Sequence, residues 1–123
     1  MPSARGLGGV FLRADDPAML ASWYEEQFGF KQEFPGGMIL SSKDVDGRDA
    51  ITVFSFFARD NDHFAPEQQA MINLRVDDLD ATLNALRGAG VRVESETMDD
   101  ENGRFGWCYD PEGNKVELWE PRG

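Results

Sequence analysis

The residues best suited to chemistry gather in one C-terminal stretch, where Glu117 stands among Phe105, Trp107, Tyr109 and Trp119. A carboxylate surrounded by aromatic side chains loses hydration, which raises its pKa and suits it to act as a general base. The same residue has a plainer use, an ion pair with Lys115, Arg13 or Arg75 that holds a sheet, and both uses stay open at this point. Cys108 is the one cysteine and has no histidine nearby in sequence to activate it, so it reads as a small buried filler. His63, the one histidine, lies between Asp62 and Phe64 in a polar segment and reads as a surface-loop residue. There is no phosphate-cradling glycine loop, Gly-x-Ser-x-Gly elbow or cysteine pair. The acidic run Asp99-Asp100-Glu101-Asn102 reads as a solvated loop, because a calcium loop needs regularly spaced ligands about a glycine.

Glu117 must be positioned by a β-hairpin. Aromatic residues at 105, 107 and 109 alternate with small ones, Asp110-Pro111-Glu112-Gly113-Asn114 supplies turn chemistry, and a second alternating strand follows. Upstream, residues 9–14 form a strand, Asp15-Asp16-Pro17 caps a helix running to about residue 27, and Gly29 ends it. Met19, Leu20, Trp23, Tyr24 and Phe28 fall at helical spacing and are expected as a core-facing stripe. Strands at 31–34, 38–42 and 50–57 complete this half. After a polar linker at 58–68 the order begins again: Leu12-Arg13 to Asp16 is echoed by Leu74-Arg75 to Asp78, an offset of 62 residues from Arg13 to Arg75. A helix at 79–87, a short strand at 91–94, a polar loop at 95–103 and the hairpin follow. Each half reads strand, helix, strand, strand, strand, which predicts an α+β fold with helices on one face of a sheet and a cleft on the other.

The composition narrows the partners. With 12 basic and 23 acidic residues the net charge is −11, which repels phosphate backbones and anionic lipid, so neither nucleic acid nor membrane is expected as a partner. Residues 1–8 lack the apolar run of a signal peptide, and a single cysteine suits a reducing compartment, so a cytoplasmic location is expected. One domain over residues 1–123 is expected, with module one at about 9–57 and module two at about 69–121.

The repeat resembles the vicinal oxygen chelate superfamily, which includes glyoxalase I, extradiol dioxygenases, and the bleomycin and fosfomycin resistance proteins. The resemblance rests on residues 105–121, on the Leu12-Arg13 to Asp16 strand end, on Trp23-Tyr24 to Phe28-Gly29-Phe30, and on Val76-Asp77-Asp78-Leu79. It implies two tandem βαβββ modules forming a curved mixed sheet around a cleft, and a homodimer. It also implies where a metal would be held, on the first and last strands of each module. Here those positions are Gly9, Met71, Ser55 and Glu117, of which only Glu117 is a good ligand for a divalent ion. No metal and no other cofactor is therefore expected.

Strand parity sends Phe11, Arg13, Val53, Ser55, Phe57, Met71, Asn73, Arg75, Lys115, Glu117 and Trp119 to the cleft. Pairing Tyr109 with Lys115 would set Trp107 opposite Glu117 and Phe105 opposite Trp119, with Gly106 and Cys108 under a helix. The expected ligand-binding set is thus Phe11, Arg13, Ser55, Phe57, Met71, Asn73, Arg75, Phe105, Trp107, Tyr109 and Trp119, with Glu117 as the candidate catalytic residue. The expected function is a glyoxalase- or bleomycin-resistance-like protein that binds a small organic molecule in an aromatic cleft, where the acidic surface favours a cationic ligand. The alternatives are a lyase or isomerase using Glu117 as a metal-free base, and a non-catalytic dimeric relic whose aromatic cleft is closed by packing. A swapped dimer would also carry His63 toward a partner's cleft.

Overall fold

A computed structural model describes residues 3–122. Its elements run β1 (Gly6–Ala14), α1 (Pro17–Phe28), β2 (Gln32–Phe34), β3 (Gly37–Lys43) and β4 (Asp49–Ala58), then β5 (Ala70–Arg75), α2 (Leu79–Gly88), β6 (Met98–Asp100), β7 (Gly103–Tyr109) and β8 (Lys115–Pro121). The eight strands form one open mixed sheet in the order β2-β3-β4-β1-β5-β8-β7-β6. Within each module the first strand runs parallel to the last, β1 with β4 and β5 with β8, while β1 and β5 join the modules antiparallel. The final hairpin pairs Tyr109 with Lys115, Trp107 with Glu117 and Phe105 with Trp119, the register that side-chain alternation predicts.

Both helices start where an aspartate accepts a main-chain N–H: Asp16 from Met19 at 3.1 Å and Asp78 from Ala81 at 3.0 Å. Gly29, at φ 77°, ends α1 in the left-handed conformation. Arg104 of β7 donates two hydrogen bonds to Asp80 at the start of α2, which holds the Asp80 carboxyl below its ordinary range. Leu79 and Leu83 of α2 pack with Val76, Cys108, Val116 and Leu118, and Gly106 leaves room for the Leu83 side chain. Under α1, Ala21 packs with Met38 and Phe56, with Leu12, Leu20, Tyr24 and Phe54 around them.

Two local expectations change. The apolar stripe of α1 is only partly turned inward: Leu20 and Tyr24 reach the sheet, whereas Met19, Trp23 and Phe28 are exposed. Apolar residues lie around more of this helix than a single sheet face can cover; Trp23 rests edge-on against Tyr24 with ring centroids 5.0 Å apart. Residues 91–94 form only one bridge, Val93 with Cys108, and the edge strand lies instead at Met98–Asp100, inside the segment expected as loop. Edge position explains why β6 escapes the hydrophobic pattern, since all three of its side chains are exposed. Val10 and Ile72 pair across the seam between modules, and Ile72 is exposed there because each helix covers only its own module.

Truncation of the α2 core tests this layering. Leu83→Ala should destabilise the chain by about 2–5 kcal/mol in urea unfolding, the usual loss for a buried leucine, whereas Met19→Ala should stay within about 0.5 kcal/mol. Equal losses for the two variants would contradict the packing described.

Candidate functional site

The strand registers line up one row across the concave face: Ile39, Val53, Gly9, Asn73, Glu117 and Trp107 on six successive strands. Glu117 is only 7% exposed. Asn73 Nδ2 donates to its Oε1 at 2.7 Å, and Trp107 Nε1 donates to Oε2 at 3.0 Å. Burial pushes the carboxyl above its ordinary pKa; the two hydrogen bonds, and the charges of His63 and Lys115, oppose that shift. None of Lys115, Arg13 or Arg75 forms an ion pair with Glu117. The sheet-holding ion pair is therefore replaced by two neutral donors.

Around this row the chain fills part of its own cleft. Phe64, from the linker between β4 and β5, is 3% exposed and packs with Phe11, Met71 and Trp107, with Phe57 beside them. The linker is tied down at both ends of this contact. Arg13 donates to the Asn61 carbonyl at 2.9 Å and lies over the Phe64 ring, while Gln68 exchanges hydrogen bonds with the Lys115 backbone at 2.9 and 2.8 Å. His63 is exposed, as expected of a loop histidine, but its ring lies over Trp107 of the same chain, with centroids 6.3 Å apart. Met71 and Trp107 are thereby enclosed rather than presented, and Ser55 is buried as well.

Beyond Phe11 the concave face opens. A cavity of about 440 Å³ is walled by Phe11, Phe34, Ile39, Val53, Phe105 and Trp119, with Asn73 and Asn102 among its polar groups. Phe105 and Trp119 stand parallel with centroids 6.1 Å apart, and Trp119 Nε1 is fixed by the Asn102 carbonyl at 2.9 Å. Gly8 shapes the floor, since a Cβ there would overlap Asn73 Oδ1 and approach Trp119 Cε3 to 2.9 Å. A second cavity of about 840 Å³ adjoins it through Ile51, Glu101, Asn102 and Trp119, and has Arg75 in its wall.

The expected binding residues thus divide. Phe11, Asn73, Phe105 and Trp119 line the aromatic cavity, and Arg75 lines the adjoining one. Met71, Phe57, Trp107 and Ser55 lie on the filled side or are buried beneath it. Arg13 is engaged with the linker, and Tyr109 donates to Glu94 at 2.6 Å under the Arg92 guanidinium. Glu117 borders neither of the two cavities directly. Sequence reading missed Gly8, Phe34, Ile39, Ile51, Glu101 and Asn102. Ile51 has the parity of Val53, and Gly37 carried the signal for Phe34, because the bare Gly37 backbone makes room for that ring. Asn102 lies in the acidic run taken for solvated loop, but its carbonyl anchors an indole.

Among the described residues no group of three or more His, Cys, Asp or Glu side chains is arranged to hold a metal ion. No helix of the described residues is long and apolar enough to cross a membrane. No curated protein sequence matches the chain. In fold it is similar to methylmalonyl-CoA epimerase from Mycobacterium tuberculosis, with a TM-score of 0.71 and 21% identity over 98% of this chain and 90% of that one. It is also similar to a variant of Streptomyces coelicolor methylmalonyl-CoA epimerase in complex with 2-nitronate-propionyl-CoA, with a TM-score of 0.69 and 20% identity over 94% of this chain and 96% of that one. A third similar structure is described as NAD-dependent benzaldehyde dehydrogenase from Legionella pneumophila, with a TM-score of 0.65 and 11% identity over 93% of this chain and 98% of that one. The family model for the Glyoxalase/Bleomycin resistance protein/Dioxygenase superfamily matches residues 6–118, and the chain belongs to that superfamily.

Proposed function

We propose that this chain is a single-domain binding protein that takes a small, largely apolar ring compound into the cavity between Phe11, Phe105 and Trp119, without a metal ion. The observation that carries this reading is the cavity itself: at about 440 Å³ it has the volume of a small-molecule site, and its walls are mostly aromatic and aliphatic with a few polar groups. The four family ligand positions support the metal-free part. They offer no side chain at Gly9, a hydroxyl at Ser55, a thioether at Met71, and at Glu117 a carboxylate whose two oxygens already accept hydrogen bonds. Such a donor set does not fit a divalent ion that needs several charged or imidazole ligands.

The same geometry favours binding over acid–base catalysis at Glu117. The raised pKa suits a base, but a base must reach the proton it takes, and this carboxylate faces Asn73 and Trp107. Its supported role is to fix those two side chains. A cytoplasmic homodimer belongs to the proposal as well: α1 leaves Met19, Trp23 and Phe28 exposed, and a second copy would cover them.

Three outcomes are expected. Titration with 1-naphthol should give a saturable change in tryptophan fluorescence that Trp119→Phe largely removes, and Phe105→Ala should weaken binding on the order of tenfold, about 1.4 kcal/mol; a linear, non-saturating response would sink the cavity reading. Glu117 carries a raised folded pKa, so the folded chain holds this proton more tightly than the unfolded one, and stability should fall as pH rises from the ordinary carboxylate range through that raised value. Melting temperatures of Glu117→Gln should lack that decline, while naphthol affinity survives; deuterium exchange into an added carbon acid such as methylmalonyl-CoA, lost in the same variant, would instead establish the base. Light scattering should return twice the chain mass, dropping to one chain mass in Trp23→Glu; a monomeric parent chain would remove the dimer from the proposal.

A further inference from the structure

Arg75 is the unusual cation of this molecule. It ends β5, in register with Gly6 on one side and Trp119 on the other, and is 7% exposed. Its Nη1 donates to the main-chain carbonyls of Leu7, at 2.9 Å, and Ile51, which pins the guanidinium between β1 and β4. Its Nη2 is buried and has no hydrogen-bond partner. No carboxylate pairs with it, although Arg5 and Arg122, the other two arginines lining the adjoining cavity, each have one. Burial of a guanidinium without an anion is costly, so a site that maintains it is a candidate for receiving one.

The backbone is cleared around this side chain. A Cβ at Gly6 would stand 2.9 Å from Arg75 Nη2, and one at Gly8 would stand 3.2 Å from Arg75 Cγ. The acids that line the same cavity are already engaged. Asp44 accepts main-chain N–H groups from Asp46 at 2.8 Å and Arg48 at 3.0 Å and lies 3.8 Å from Arg5. Asp49 is bound by Lys43, and Asp77 lies 3.6 Å from Arg5. Glu101 remains; it is exposed and lines both cavities.

We infer that Arg75 forms an anion subsite, and that the ligand of the aromatic cavity carries a single carboxylate. The inference rests on the binding reading proposed above and adds the ligand's charge. Ile51, Glu101, Asn102 and Trp119 belong to the walls of both cavities, so the space holding a ring against Phe11, Phe105 and Trp119 continues past the exposed Glu101 carboxylate to Arg75. Arg75 and Trp119 are paired residues on adjacent strands, so a short spacer between ring and carboxylate is the one to test. The planar guanidinium suits a carboxylate's two oxygens. A phosphoryl chain is disfavoured, because its added charge would lie against Asp44, Asp77 and Glu101. Overall negative charge favours cations at long range, but salt screens that effect, and a desolvated arginine acts at contact.

The test compares 3-(2-naphthyl)propionate with its primary amide and with the corresponding amine, by calorimetry and tryptophan fluorescence. The carboxylate should bind at least tenfold more tightly than the amide, Arg75→Met should reduce that preference to less than twofold with amide affinity unchanged, and Arg75→Lys should retain part of it. On the wild-type chain, the Arg75 side-chain Nε–H resonance should shift with the carboxylate and not with the amide, a result that stands even where Arg75→Met does not fold. Equal affinities for acid and amide, or tighter binding of the amine, would overturn the anion subsite and leave the aromatic cavity intact. Absence of binding by all three would overturn both.

Discussion

Everything on the concave face depends on the antiparallel joint between β1 and β5. Each module alone has four strands and one helix, and its last strand lies beside its first. Joining the two first strands sets β4 and β8 on either side of a two-strand centre, so that residues from both modules share one cross-strand row. Glu117 draws its partners from β5 and β7, but the space around Asn73 is set by Gly8 of β1 and that around the Phe11 ring by Gly9. The irregularity in pairing between Leu7 and Gly9 is part of this joint. Side chains at these glycines would enter Asn73, Trp119 and Phe11, so the bare backbone of β1 is what lets the second module's residues crowd toward the centre.

The buried carboxylate of Glu117 is held by neutral donors and not by a cation. Desolvation raises the pKa of Glu117, and hydrogen bonds from Asn73 and Trp107 restrain the shift. Asn73 uses its amide nitrogen in this contact while its Oδ1 has no partner, so the polar cluster is satisfied on the carboxylate's side and unsatisfied on the amide's. Neutral donors make the arrangement less dependent on exact charge balance than an ion pair between the same strands would be.

Much of the fold was legible because its signals are local and repeated. The 62-residue offset paired Arg13 with Arg75, aspartates marked both helix starts, and side-chain alternation returned the hairpin register. What escaped depends on packing at a distance. Trp23 and Leu20 both carry the helical period, yet one stays exposed and the other packs against the sheet. Edge strand β6 has no apolar face to announce it. In the candidate site, parity speaks only of faces, and a face is not a cavity: whether Met71 or Phe11 meets open space is decided by Phe64, which sequence leaves in a polar linker.

That placement of Phe64 separates two properties that usually share residues. The walls of the cleft belong to strands whose side chains also hold the sheet, so altering them changes stability. Phe64 sits between β4 and β5, outside any regular element, and yet its ring occupies volume at the centre of the concave face. Connecting segments accept substitution and changes of length more readily than the strands they join. The capacity of the concavity is therefore adjustable from a position that leaves the sheet's hydrogen bonding untouched, which gives the scaffold a route to accommodate bulkier molecules by evolving its linker alone.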